Sequence, residues 1–194
     1  MELNNLNIDS ITASWFLLTL FYKTERKYTC AREKTLQLLT ILALDYAYNG
    51  YKLFDEEILI NGNGEAFIKG LMWLPNQEYL GMQVENDNKE YIISNLDESK
   101  DNLVPFMYRC NTVDDELKEK ATNAFRKFGS YTQTDLVTMI SPILNRITRE
   151  DGVVELTNIS SVVDEIKEEN DVINYLKQNN LYRENKTSKR LIKR

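Results

Sequence analysis

The 194-residue chain contains no histidine. That absence removes the commonest general base, the usual partner of a serine or cysteine nucleophile, and the commonest metal ligand. What is left is carboxylate-only chemistry, which needs acids that converge. Cysteine is scarce too. Cys30 and Cys110 stand far apart and in no paired-ligand spacing, so they define neither a disulfide framework nor a zinc site. The longest apolar stretch, ASWFLLTLFY, is too short to span a bilayer, and MELNNLNIDS has neither a basic region nor cleavage-like small residues. The expectation is a cytoplasmic, non-membrane protein with no catalytic residues, no metal and no cofactor.

What is present is enough for a core. Hydrophobic residues make up 42% of the chain, which suits one domain that folds without a metal or disulfide staple. Charge is uneven. Residues 183–194 carry six basic side chains and one acid, a local net of +5, so the formal net of -6 for the whole chain leaves -11 on residues 1–182. Such a body repels a nucleic-acid backbone and attracts basic protein surfaces. Nucleic acid is expected only at the basic tail, where Lys189, Arg190, Lys193 and Arg194 are the candidate contacts.

The chain reads as α+β and mainly helical: a helical domain over residues 1–182 with an inserted short antiparallel β-meander, followed by a mobile basic tail at 183–194. DSITASWFLLTLFYKTER predicts a helix over about 10–24, capped by Asp9 or Ser10. AREKTLQLLTILALDYAYNG predicts a second, apolar on so many sides that it belongs in the middle of a core, with Gly50 as its stop. The period then turns to alternation. EILI and EAFIKGLMW flank NGNG, and YLGMQV and YIISNL flank ENDNK, which predicts up to four short strands in a meander over about 57–96. Helices resume in TVDDELKEKATNAFRKFG, with a Thr112 cap and a stop at Gly129. Next come a helix over Gln133–Ile140, a new one starting at Pro142, and a C-terminal helix over about 160–180.

Three stretches invite a functional reading. Asp55, Glu56 and Glu57 are adjacent, and neighbours in an extended segment point to opposite sides, so a hydrolytic or metal site there lacks convergence and a solvated turn is the simpler reading. TQTDLVTMISPILNRITRE resembles a helix-turn-helix, with a turn at Ser141 and Pro142 and Ile143–Arg149 as reader, but only Arg146 and Arg149 on that reader are basic. Tyr46, Tyr48, Tyr51 and Phe54 cluster where helix gives way to strand, and tyrosine is favoured at protein interfaces as well as in cores.

The order of these signals resembles the Panacea antitoxin domain, a family also found in phage-associated and genetic-element proteins. KTLQLLTILALDYAY, a glycine, then YKLFDEEI is similar to that family's K-L-Q-K-L-L-Y-F-A followed by G-x-P-L-F-x-E. DDELKEKATNAFRKFGSYTQTDLVTMIS is similar to its later stretch, so the likeness covers about residues 10–145. The chain departs from the signature at Lys52, where the family has proline, at Ile140 and Ser141, where it has Thr-His, and at Leu59 to Ala66, where LINGNGEA replaces A-W-x-Y-G-P-V. The resemblance implies a non-enzymatic module that neutralises a toxin or effector by direct contact and is encoded by a phage or mobile element. Tyr51, Phe54, Asp55, Glu56, Glu57 and Glu65 are the candidate partner-binding residues, and a basic toxin, effector or nuclease is the expected partner. An anti-CRISPR-like inhibitor of a defence nuclease and a DNA-binding regulator stand as the alternatives, and the oligomeric state is left open.

Overall fold

A computed structural model describes residues 3–6, 29–69, 77–79, 82–87, 90–95 and 115–178. The protein is α+β and mainly helical. The expected helix over 10–24, the Thr112 cap and the basic tail with Lys189, Arg190, Lys193 and Arg194 lie outside the described residues.

Helix α1, Arg32–Tyr48, contains no proline or glycine and is the centre of the molecule. Leu38, Leu39, Ile41, Leu42, Leu44 and Tyr46 are buried on every side of it, with Thr35, Gln37, Thr40 and Asp45 as buried polar residues. It ends where Gly50 takes a φ of 85°, the left-handed conformation that glycine adopts without a Cβ penalty. Packed against it are α2 (Asp115–Phe128), α3 (Gln133–Ile147), α4 (Ile159–Glu165) and a 3-10 turn at Leu156–Asn158; a final helix, α5, over 171–178 meets α2 through the edge-on rings of Tyr175 and Phe128.

Helix α2 buries Leu117, Ala121, Ala124, Phe125 and Phe128 along one face. Asp115 and Glu116 in its first turn and Arg126 and Lys127 in its last complement the helix dipole. Gly129 stops it by close approach: its N–H donates to the Phe125 carbonyl at 2.7 Å, and a Cβ there would lie 2.6 Å from the same oxygen. The Lys34 ammonium donates to the Gly129 carbonyl and fixes this end to α1.

Helix α3 corrects the expected division into two helices at Pro142, on which the likeness to a helix-turn-helix also rested. Gln133–Ile147 is one helix with Pro142 inside it, and no turn forms at Ser141 and Pro142. Interior proline costs about 3 kcal/mol because the N–H is lost and the ring crowds the preceding turn. Against that, Leu136, Ile140, Ile143, Leu144 and Ile147 are buried on one face, at about 1.5–3 kcal/mol for each large apolar side chain. The stripe wins. The carbonyl that Pro142 leaves without its usual helical partner belongs to Thr138, an exposed residue. A capping box between Thr132 and Asp135 fixes the start.

The expected C-terminal helix over 160–180 is two pieces. Ile166, with ψ at 117°, breaks α4. Asn170 then starts α5, its Oδ1 accepting from the Val172 and Ile173 N–H groups at 3.0 Å and its Nδ2 donating to the Met139 carbonyl at 2.9 Å. The restart follows from Asn170, whose side chain satisfies N–H groups that a helix start leaves open.

The strands do not form one meander. Strands β1 (Asn4–Asn5) and β3 (Tyr51–Lys52) pair in parallel, and β4 (Ile58–Ile60) and β5 (Ala66–Ile68) form a hairpin of their own. A separate antiparallel sheet has the order β2-β8-β7-β6, where β2 is Thr29–Ala31, β6 Gln77–Tyr79, β7 Met82–Asp87 and β8 Glu90–Asn95. Strand β2 joins β8 and runs straight into α1, so the sheet recruits a strand from before the helix.

NGNG is a hairpin turn, as expected, but its two glycines are not equivalent. The Asn61 Oδ1 accepts from Asn63 at 2.9 Å and Glu65 at 3.0 Å, and the Gly64 N–H donates to the Asn61 carbonyl at 3.0 Å. Only Gly64 has a positive φ, 79°. Gly64→Val is expected to destabilise the fold by about 1–2 kcal/mol, the cost of a left-handed backbone for a residue with a Cβ. Gly62→Val should leave the denaturation midpoint within experimental error, since a Cβ at either position meets open space. Equal losses in the two variants, measured by urea unfolding, would contradict this turn.

Candidate protein-binding face

The stretch after α1 alternates between anchors and exposed acids. Leu53 and Phe54 are buried, Phe54 at 3% exposure, and Ile58 is buried at the start of β4. Asp55, Glu56 and Glu57 are left as a short bridge between these anchors, with Asp55 and Glu57 exposed and Glu56 half-buried. Phe54 therefore supports the surface from beneath and does not reach a partner, which corrects its place among the candidate contacts. Tyr51 is half-buried and packs against the core, as buried Tyr46 and Tyr48 do within it.

Each acid has its own hydrogen-bond or ion partner. Asp55 accepts from the Asn5 amide, and the Lys52 ammonium lies 3.6 Å from its carboxylate. Glu57 pairs with Lys69 across the hairpin at 2.7 Å. Glu65 lies elsewhere: it accepts from Asn61 at 2.8 Å and from Gln133, the first residue of α3, at 2.6 Å, so it ties the hairpin to that helix. Among the described residues, no group of His, Cys, Asp or Glu could hold a metal ion, and no helix is long and apolar enough to cross a membrane.

Beside Asp55, Glu56 and Glu57 opens a pocket of about 270 Å³. Leu3, Ile58, Val153, Val154 and Leu156 supply its apolar lining. Lys52, the three acids and Thr157 supply the polar part. The pocket exists because residues 153–154 run alongside β4: the Val154 N–H donates to the Ile58 carbonyl and the Ile60 N–H to the Gly152 carbonyl, both at 2.9 Å. Gly152, with φ at 83°, makes the turn that brings them there. Asp151 steadies it, taking the Arg149 guanidinium in a fork and the Val153 N–H at 3.2 Å.

Leu3, Val153, Val154 and Leu156 are the residues that sequence reasoning missed. The one local signal was Asp151-Gly152 followed by two β-branched residues, a turn leading into an extended segment. A broader depression of about 740 Å³ lies between α3 and residues 165–168, but the charges on it are mixed, with Arg146 and Lys167 against Glu165 and Glu168.

The ion pairs around the pocket give the fold an acid limit. The Lys69 side chain, by hydrogen bond and then by charge, holds the Glu57 carboxyl below its ordinary 4.5. The Arg149 guanidinium and the Val153 N–H hold Asp151 below 3.8, and at the head of α3 the Thr132 hydroxyl and N–H do the same for Asp135. A carboxylate with a depressed folded pKa adds stability that is complete above its unfolded value and lost as pH falls through the folded one. The melting temperature is expected to hold down to about pH 5 and decline below about pH 4. Replacing Glu57 and Asp151 by their amides should reduce that decline; a decline unchanged in the double variant would contradict the assignment.

No family model, curated protein or solved structure matches this chain.

Proposed function

We propose that this chain is a non-enzymatic protein-binding module of the antitoxin type, neutralising a toxin or effector protein by direct contact and encoded by a phage or mobile element. The resemblance to the Panacea antitoxin domain supports the reading. The structural observation that carries it is the pocket beside Lys52–Glu57, where the stretch that resembles the family signature borders an apolar depression. Interfaces concentrate their affinity where a side chain of one partner fills a desolvated pocket of the other, with polar groups around it. At about 270 Å³ the pocket has room for one protruding side chain of a partner.

The -11 carried by residues 1–182 favours a basic partner, because complementary charge raises the association rate and excludes wrong partners. The test is capture by the tagged full-length chain in its host. One basic protein should be recovered in equal amount at low salt and less at high salt, and its toxic effect on growth should be relieved by the chain. Recovery of no such protein sinks the reading.

A further inference from the structure

We infer a second binding element, which shares no residue with the pocket beside Lys52–Glu57: residues 167–169 form an open strand edge that takes up an extended main-chain segment of a partner protein. After α4 ends, Ile166 turns to a φ of -70° and a ψ of 117°, and 166–170 continue without helix, turn or bend. Both ends of this stretch are fixed. Ile166 is buried and its N–H donates to the Val162 carbonyl at 3.2 Å, while the Asn170 side chain holds the Met139 carbonyl of α3 at 2.9 Å. Between these anchors, the N–H and C=O groups of Lys167, Glu168 and Glu169 have no hydrogen-bond partner among the described residues. Straight, anchored and unpaired backbone is what an edge strand presents to another chain.

The groove alongside supplies the room, about 740 Å³ between Glu165–Glu168 and the wall of α3 that carries Val137, Thr138 and Pro142. On that wall Pro142 leaves the Thr138 carbonyl without its usual helical partner, so main-chain donors on one side face a main-chain acceptor on the other. The charges cancel, Arg146 and Lys167 against Glu165 and Glu168. With no net charge to select a side chain, the groove offers a ligand backbone groups, and an extended segment answers them with its own. A second copy of this chain is a poorer occupant, because the -11 on residues 1–182 opposes self-association.

The probe is a neutral β-prone peptide, acetyl-Thr-Val-Thr-Val-Thr-amide, and its control is the same peptide N-methylated throughout, which keeps the side chains and loses the donors. Saturable shifts at the amide resonances of Lys167, Glu168 and Glu169 are expected with the first, insensitive to salt, and at least about tenfold weaker binding with the second. Glu168→Pro removes the donor of one edge, and the double variant Lys167→Pro, Glu169→Pro those of the other. One of the two should weaken the peptide by at least about tenfold with the melting temperature unchanged, while Glu168→Ala, which keeps its N–H, should bind as wild type does. Equal affinity for the two peptides, or no saturable shift at these amides, would overturn the inference. So would peptide binding that survives both sets of proline variants. A chain that sediments as a dimer, and as a monomer with Glu168→Pro, would give the edge to a second copy and overturn the assignment to a partner protein.

Discussion

Lys120→Met is expected to destabilise the fold by about 3–5 kcal/mol, because it takes the Lys120 ammonium away from a buried carboxylate. Asp45 lies on the central helix with its side chain 0% exposed, in an ion pair with the Lys120 ammonium from α2, itself 11% exposed. The Asn49 amide donates to the same carboxylate at 3.3 Å, and the ammonium lies 4.9 Å from the centre of the Tyr46 ring. Charge pairs of this kind add little over an apolar pair of the same shape, since desolvation offsets most of the attraction, but half a pair is costly. The double variant Asp45→Leu, Lys120→Met should therefore recover most of the loss. A thermodynamic cycle by urea unfolding decides it. Losses that simply add would mean that the two groups do not interact in solution.

Gln37 is the second position with a large expected effect. Its Nε2 donates to the Ala66 carbonyl at 3.0 Å, and the Ala66 N–H donates to its Oε1 at 3.3 Å. A buried side chain of α1 thus pairs with β5 as a neighbouring strand would. Replacing it by Met keeps the length and removes both bonds. Each buried backbone group left unpaired costs about 1–3 kcal/mol, so Gln37→Met should lower stability and speed hydrogen exchange at the Ala66 amide. Unchanged exchange there would show that the hairpin is held by other contacts.

These two positions also show what could be read from the sequence. The central helix was legible because Arg32–Tyr48 has no breaker and is apolar on nearly all sides, a pattern that only a buried helix tolerates. The NGNG hairpin was legible because asparagine and glycine are the residues its turn requires. What Lys34, Gln37 and Asp45 do was not, since each reaches a partner between 29 and 95 residues away: Ala66, Lys120 and Gly129. Within the stretch that resembles the family signature, Lys34 and Gln37 hold the scaffold, as Phe54 does by its burial.

Pro142 misled for a related reason. Read locally it starts a helix; in the fold, the buried stripe from Leu136 to Ile147 outweighs the one bond it removes, and the exposed side of α3 bears the cost. The candidate site was half legible. Asp55, Glu56 and Glu57 stood out as a cluster, and the structure places them beside one pocket. Its lining could not be foreseen, because Val153 and Val154 come to β4 from almost a hundred residues further along the chain.

The central claim is that the face around this pocket holds a basic protein. Its most direct measurement is quantitative capture from the host by wild type and by Thr157→Arg, both full length and matched in melting temperature. The account expects one basic protein, equimolar with the wild-type chain, and at least about a tenfold loss with the variant, as for an interface centred on a few buried side chains. Retention of that protein at the wild-type level by Thr157→Arg would contradict it.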